Sequence, residues 1–189
     1  MFSGRDVLND GSVQFQMVFM KSLGSFPLAL NDVMNDARKL LATLRDQSIH
    51  EPTTPSEAIK ILENIRQEIY EHLNQIQHEY LIIRAAMWLQ SNDPKLNRVS
   101  WFWNPRQTGD KNEPDLAADK ESGRLISAEI TASKSPTGVI DKRMTETLIK
   151  LNPMSGNKFY FVRTESMYKR ALTKVSKNEW NIKVVLLRD

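Results

Sequence analysis

The sequence predicts an α/β domain, helical in its first half and sheet-forming in its second. Three observations lead there. Apolar residues between Pro27 and Met87 recur at steps of three and four. Short β-branched and aromatic runs occupy the chain from Val99 to Leu187. Between the last of these runs lie stretches of helical length and period, so the final strands are joined by crossovers and should run parallel.

The elements follow in order. VQFQMVFM, 13–20, partly alternates and reads as a short strand or arm. From Pro27 to about Gln47, the residues Leu30, Val33, Ala37, Leu40 and Leu44 fall at helical spacing. SIHEPTTPS breaks that pattern with two prolines. A second helix then starts with Thr54 as N-cap, Pro55 as first helical residue and Glu57 as reciprocal partner. Its seam runs Leu62, Ile65, Ile69, Leu73, Ile76, Tyr80, Ile83, Met87, and it should end near SNDP, 91–94. At 1.5 Å per residue it spans roughly 50 Å. Such a seam serves either a helical hairpin that shields a core or a dimerisation surface. His72 and His78 stand six residues apart, share no face, and read as surface histidines.

Strands are expected at 99–103 (VSWFW), 114–119 (PDLAAD) and 125–131 (LISAEIT), forming a meander. SPTGV then breaks the chain before a helix over 140–152 with Met144, Leu148 and Leu151 on one face. KFYFV, 158–162, and IKVVLL, 182–187, read as buried strands around a helix at 165–177.

Composition narrows the function classes. The 189 residues, 40% hydrophobic and 26% charged, suit one globular unit of ordinary type. The absence of cysteine excludes disulfides and thiolate metal sites. No apolar run approaches the roughly 18 residues of a membrane span, and the N-terminus lacks a signal-peptide pattern, so a cytoplasmic protein with no membrane contact is expected. A net charge of +3 permits a polyanionic partner without demanding one.

The chemistry centres on EPDLAADKESGRLISAEIT, 113–131. A three-residue turn at 121–123 with Gly123 in the left-handed region sets Lys120 against Arg124 and Asp115 against Glu129. Opposed residues share a face about 5 Å apart, where two carboxylates repel and one tends to take up a proton. One reading is two exposed acids offset by Lys120 and Arg124. The other is an oxygen-liganded divalent cation, Mg²⁺ or Mn²⁺, which removes the repulsion and suits phosphoryl chemistry. Leu116, Ile126, Ala128 and Ile130 make the opposite face apolar, while Ser127 and Thr131 leave room beside the acids.

The pairing of PD at 114–115 with AEIT at 128–131 resembles the PD-(D/E)XK nucleases, and the element order over 57–189 is similar to that superfamily's core. The resemblance implies a restriction-endonuclease-like αβββαβ core over 57–189, preceded by an N-terminal arm and helix over 1–56 that completes a helical hairpin. It implies a metal-dependent endodeoxyribonuclease of the type II restriction kind. It would act on double-stranded DNA, commonly as a homodimer, with Asp115 and Glu129 as catalytic metal ligands. The superfamily's lysine falls two residues after the second acid, where this chain has Thr131. Lys134 is the first substitute, with Lys142 and Lys150 on the following helix as others. Glu79 is the best-placed further acid on the long helix, ahead of Glu68 and Glu71, and Glu146 is another. Basic residues from Lys134 to Lys177 could neutralise phosphates. Two competing expectations remain: a catalytically inactive protein of the same fold that binds DNA or a partner subunit, and a helical interaction module built on 27–90.

Overall fold

A computed structural model describes residues 20–47, 51–104 and 110–188. The expected strand or arm at 13–20 lies, Met20 apart, outside the described residues. The chain is mixed α/β: a six-stranded open sheet with four α-helices and one short 3-10 helix among the described residues. None of the described helices is long and apolar enough to cross a membrane.

Helix α1 (Phe26–Gln47) packs along helix α2 (Pro55–Asn92) as the periodicity predicts. Thr54 caps α2, its hydroxyl accepting the Glu57 N–H at 3.2 Å. The Glu57 carboxylate reaches back one residue further than expected and accepts from the Thr53 N–H at 2.8 Å. Asp93 ends α2 and caps the 3-10 helix Pro94–Arg98.

The strands are β1 (Lys21–Ser22), β2 (Ser100–Trp103), β3 (Leu116–Lys120), β4 (Gly123–Ile130), β5 (Asn157–Val162) and β6 (Lys183–Leu186). They lie side by side in chain order. The β2–β3–β4 meander is antiparallel, with two-residue β1 added at its edge. Helices α3 (Val139–Leu151) and α4 (Glu165–Lys177) are the crossovers; β5 and β6 run parallel as expected, and β4 runs parallel to β5 as well.

Each face of the sheet carries its own core. Leu116, Ala118, Ile126, Ala128, Ile130 and Phe161 pack under α2 through Leu81, Ile82, Ala85, Ala86 and Leu89. Tyr160, Val162 and Val184 pack on the other face under Met144, Leu148 and Leu151 of α3 and Met167, Ala171 and Val175 of α4. Alternation along β5 sends Tyr160 and Phe161 to opposite cores, the period-two consequence of the strand pleat. The seam read from the sequence on α2 is corrected by this packing. Ile83 is buried, but Leu62, Leu73, Tyr80 and Met87 are exposed. The tertiary core selects a different stripe of the same helix.

The β3–β4 hairpin departs from the expected pairing in one place. Gly123 has the positive φ expected of it, +113°, but Lys120 faces Gly123 and Asp119 faces Arg124. A bulge then absorbs Leu125, and Ala118 faces Ile126, Ala117 faces Ser127 and Leu116 faces Ala128. From that point the mirror register expected from the sequence holds, and it carries Asp115 and Glu129 to the same end of the sheet.

Candidate functional site

The site forms where β3 begins and β4 ends, between α2 on one side and α3 on the other. A pocket of about 320 Å³ opens there. Asp115, Glu129, Ile130 and Thr131 form its floor, Asn74, Gln77 and His78 its α2 wall, and Arg143 and Thr147 its α3 wall.

Asp115 is held from three directions. Its Oδ2 accepts the Ile130 N–H at 2.8 Å and lies 3.2 Å from His78 Nε2. His78 Nε2 is also 3.1 Å from the Ile130 carbonyl, so this nitrogen carries the proton and is shared between two oxygens. The Asp115 carbonyl accepts from the Asn104 N–H at 2.9 Å, which ties the residue to the end of β2. Burial pushes the Asp115 carboxyl up, but the His78 ring, the Ile130 N–H and Lys150 outweigh it and hold the group below the usual carboxylate range.

Glu129 is 5% exposed. Lys150 Nζ, from the last turn of α3, lies 2.6 Å from its Oε1 and also donates to the Glu113 carbonyl at 2.8 Å. The Lys150 contact is an ion pair without good hydrogen-bond direction, and Oε1 has no other protein donor. Burial pushes the Glu129 carboxyl up to about 8, and the Asp115 carboxylate pushes the same way against Lys150. Tyr160, in the pocket wall, is pushed up by burial and by Glu129, so its phenol stays protonated.

The arrangement therefore contains two acids, one kept ionised and one kept partly protonated, with a single ammonium beside them. Such a pair fits an oxygen-liganded divalent cation. Mg²⁺ in particular is commonly held by one or two carboxylates, with water and substrate phosphate completing its shell. Among the described residues no three His, Asp or Glu side chains form a ready cage.

The other residues proposed from the sequence are placed elsewhere. Glu79 faces the groove between α1 and α2, beside Asp36, Lys39 and His72, and accepts from Gln75 Nε2 at 3.0 Å. Helical rotation turns it away from the pocket that neighbouring His78 enters. Lys134 is exposed and does not line the pocket; its carbonyl accepts from the Thr164 hydroxyl at 2.8 Å and anchors the start of α4. Lys142 points to solvent and reaches only Glu146, at 3.8 Å. Glu71 is exposed as well. His78, read as a surface residue, is buried and belongs to the site.

Lys150, named from the sequence as an alternative to Lys134, is the lysine beside the acids, and His78 had a signal that could have found it. Tyr70, Asn74, Gln77 and His78 make a polar face on α2 directly before the buried run from Leu81 to Leu89. Arg143, Thr147 and Lys150 stand at steps of four and three, one face of α3. No family model, curated protein or solved structure matches this chain.

Proposed function

We propose that the chain is a metal-dependent endodeoxyribonuclease of the PD-(D/E)XK type, built on a restriction-endonuclease-like core. The observation that carries the reading is the cluster of buried Glu129 with half-buried Asp115 and Lys150 at one end of the sheet. The order of elements, a helix followed by a three-stranded meander and a parallel crossover, agrees with it.

Asp115 and Glu129 are the residues that would hold Mg²⁺ or Mn²⁺. The ion supplies water activation and charge stabilisation at the phosphodiester when bound. The chain's own groups do the rest. His78 and the Ile130 N–H fix the Asp115 carboxylate in one orientation and keep it ionised. Lys150 takes the part that the resemblance first gave to Lys134. Its ammonium, 2.6 Å from Glu129, offsets the two acids before substrate arrives and would act on developing negative charge beside them afterwards. Arg143, exposed on the α3 wall, meets a phosphate at the pocket mouth. Tyr160 is a protonated hydroxyl available as a donor.

The test is incubation of supercoiled plasmid with the wild type and with Asp115→Asn, in Mg²⁺, Mn²⁺ or EDTA. Nicked and linear products that require both the metal and Asp115 support the reading. DNA retention in EDTA with no cutting in either metal replaces it with a DNA-binding protein of the same fold. The internal Glu129–Lys150 ion pair and the loss of the usual lysine at Thr131 are what favour that second reading.

A further inference from the structure

Ile59, Leu62, Leu73, Tyr80 and Met87 project from α2 with between 39% and 64% of their surface in solvent. Ile59, Leu73, Tyr80 and Met87 are separated by multiples of seven, and Leu62 follows Ile59 by three. At 3.6 residues per turn that spacing drifts by about 20° per heptad, so the five lie on one slowly winding stripe about 80° wide, which a left-handed supercoil straightens. The stripe lies opposite the side of α2 that enters the core through Ile82, Ala85 and Leu89. Helix α1 does not cover it, because α1 borders α2 at His72, Gln75, Ile76 and Glu79.

A seven-residue apolar repeat is the signature of helix pairing with another helix of the same period. The chain itself supplies that period. We propose that α2 pairs antiparallel with α2 of a second copy of this chain, with the dyad near Asn74.

The direction follows from charge. Arg66 occupies the same heptad position as Ile59 and Leu73. In a parallel pair it would face its own copy across an apolar seam, and two guanidinium charges there repel. Antiparallel pairing separates the two arginines by about 25 Å at 1.5 Å per residue. The register that sets Leu62 beside the partner's Met87 also sets Glu63 across from the partner's Arg84, a complementary flank. In the same register Tyr70 faces the partner's Gln77. Both residue types line the candidate site, so the two pockets open towards the dyad and each Tyr70 borders the other protomer's pocket. The proposal itself does not depend on the nuclease reading.

The chain has no cysteine, so introduced thiols are unique. Sedimentation equilibrium of the full chain at tens of micromolar is expected to give a dimer. Leu73→Glu with Tyr80→Glu should weaken it at least about 100-fold, because charge is placed at the centre of the seam, while circular dichroism stays unchanged. A short bis-maleimide should link the double variant Glu63→Cys, Arg84→Cys into covalent dimers. It should also link an equal mixture of the two single variants, but neither single variant alone. Within one chain the two positions are about 32 Å apart along the helix, beyond the linker's reach. A monomeric wild type, a dimer indifferent to Leu73→Glu and Tyr80→Glu, or self-linking by Leu62→Cys alone would each overturn the proposal.

Discussion

The two ends of α2 are made from similar residues and have different fates. From Leu81 to Leu89 the helix is packed against the sheet, with Ile82, Ala85 and Ala86 fully enclosed. From Ile59 to Leu73 it stands off the sheet and exposes Ile59, Leu62 and Leu73. Leucine and isoleucine thus mark the core in one half and an exposed stripe in the other. Apolar character alone does not decide burial; the rotation of the helix over its neighbours does. Between the two halves sits His78, the point at which α2 reaches the acids.

The sharpest way to break this division is to move the chemistry out of the sheet end. Asp115→Asn and Glu129→Gln should each lower metal-dependent plasmid cleavage about 1,000-fold or more, since several kcal/mol of charge stabilisation go with the ion. Leu28→Ala on the exposed hairpin should leave the rate within roughly twofold. Equal losses in both regions would show that the site is not confined to the sheet end.

Stability should divide in the same way. Leu148→Ala removes a fully buried side chain and should cost about 2–5 kcal/mol in urea unfolding. Leu28→Ala, at a side chain 67% exposed, should stay within about 0.5 kcal/mol. Comparable values would mean that the hairpin is far more enclosed in solution than it is here.

Within the sheet end, the lysines separate by position. Lys150→Ala should slow single-turnover cleavage about 100-fold, the usual loss for one transition-state donor. Lys134→Ala and Lys142→Ala should cut at near wild-type rate, because Lys150 lies 2.6 Å from Glu129 whereas Lys134 is exposed and Lys142 reaches Glu146. The reverse order would return the role to Lys134.

The smallest effect expected is on pH dependence. Between the ordinary 4.5 and about 8, folded Glu129 keeps a proton that the unfolded chain has released. Its contribution is therefore fully present at low pH and is lost as pH rises through about 8. Asp115, held below the usual range, works in the opposite sense, and its contribution is lost on acidification. In metal-free buffer the melting temperature should fall as pH rises from 6 to about 9. Glu129→Gln should flatten that fall. An unchanged slope in the variant would assign the titration to another group.

Much of this fold was legible because burial imposes periods of two and 3.6 on the sequence. The strands at KFYFV and IKVVLL, the cap at Thr54 and the parallel crossovers all followed from those periods and from the breakers between them. The placing of the acids at one end of the hairpin was legible although the turn was not: Lys120 faces Gly123 instead of Arg124, and the bulge at Leu125 restores the register that brings Asp115 and Glu129 together. His78, and the choice of Lys150 over Lys134 and Lys142, were not legible, because each depends on the rotation of a helix about its own axis. Rotation is set by packing, and single polar residues on a helix face carry little of that information. Glu79 shows the cost, since one residue, or 100° of turn, separates the wrong side chain from the right one.

The bulge at Leu125 has a consequence for length variation. Deleting that one residue would let the hairpin zip regularly from Lys120 and Gly123 outward, without any loss of apolar pattern in β3. The pairs beyond it would be kept, with Ala118 still facing Ile126 and Glu129 still on the side of Asp115; closing the bulge with Leu125 retained would instead put every later residue out of phase by one and swing Glu129 to the face now occupied by Ala128 and Ile130, beneath α2. The domain would keep its strands and lose its paired acids. The one residue absorbed by the bulge, rather than the length of the turn, is what keeps Asp115 and Glu129 on one face.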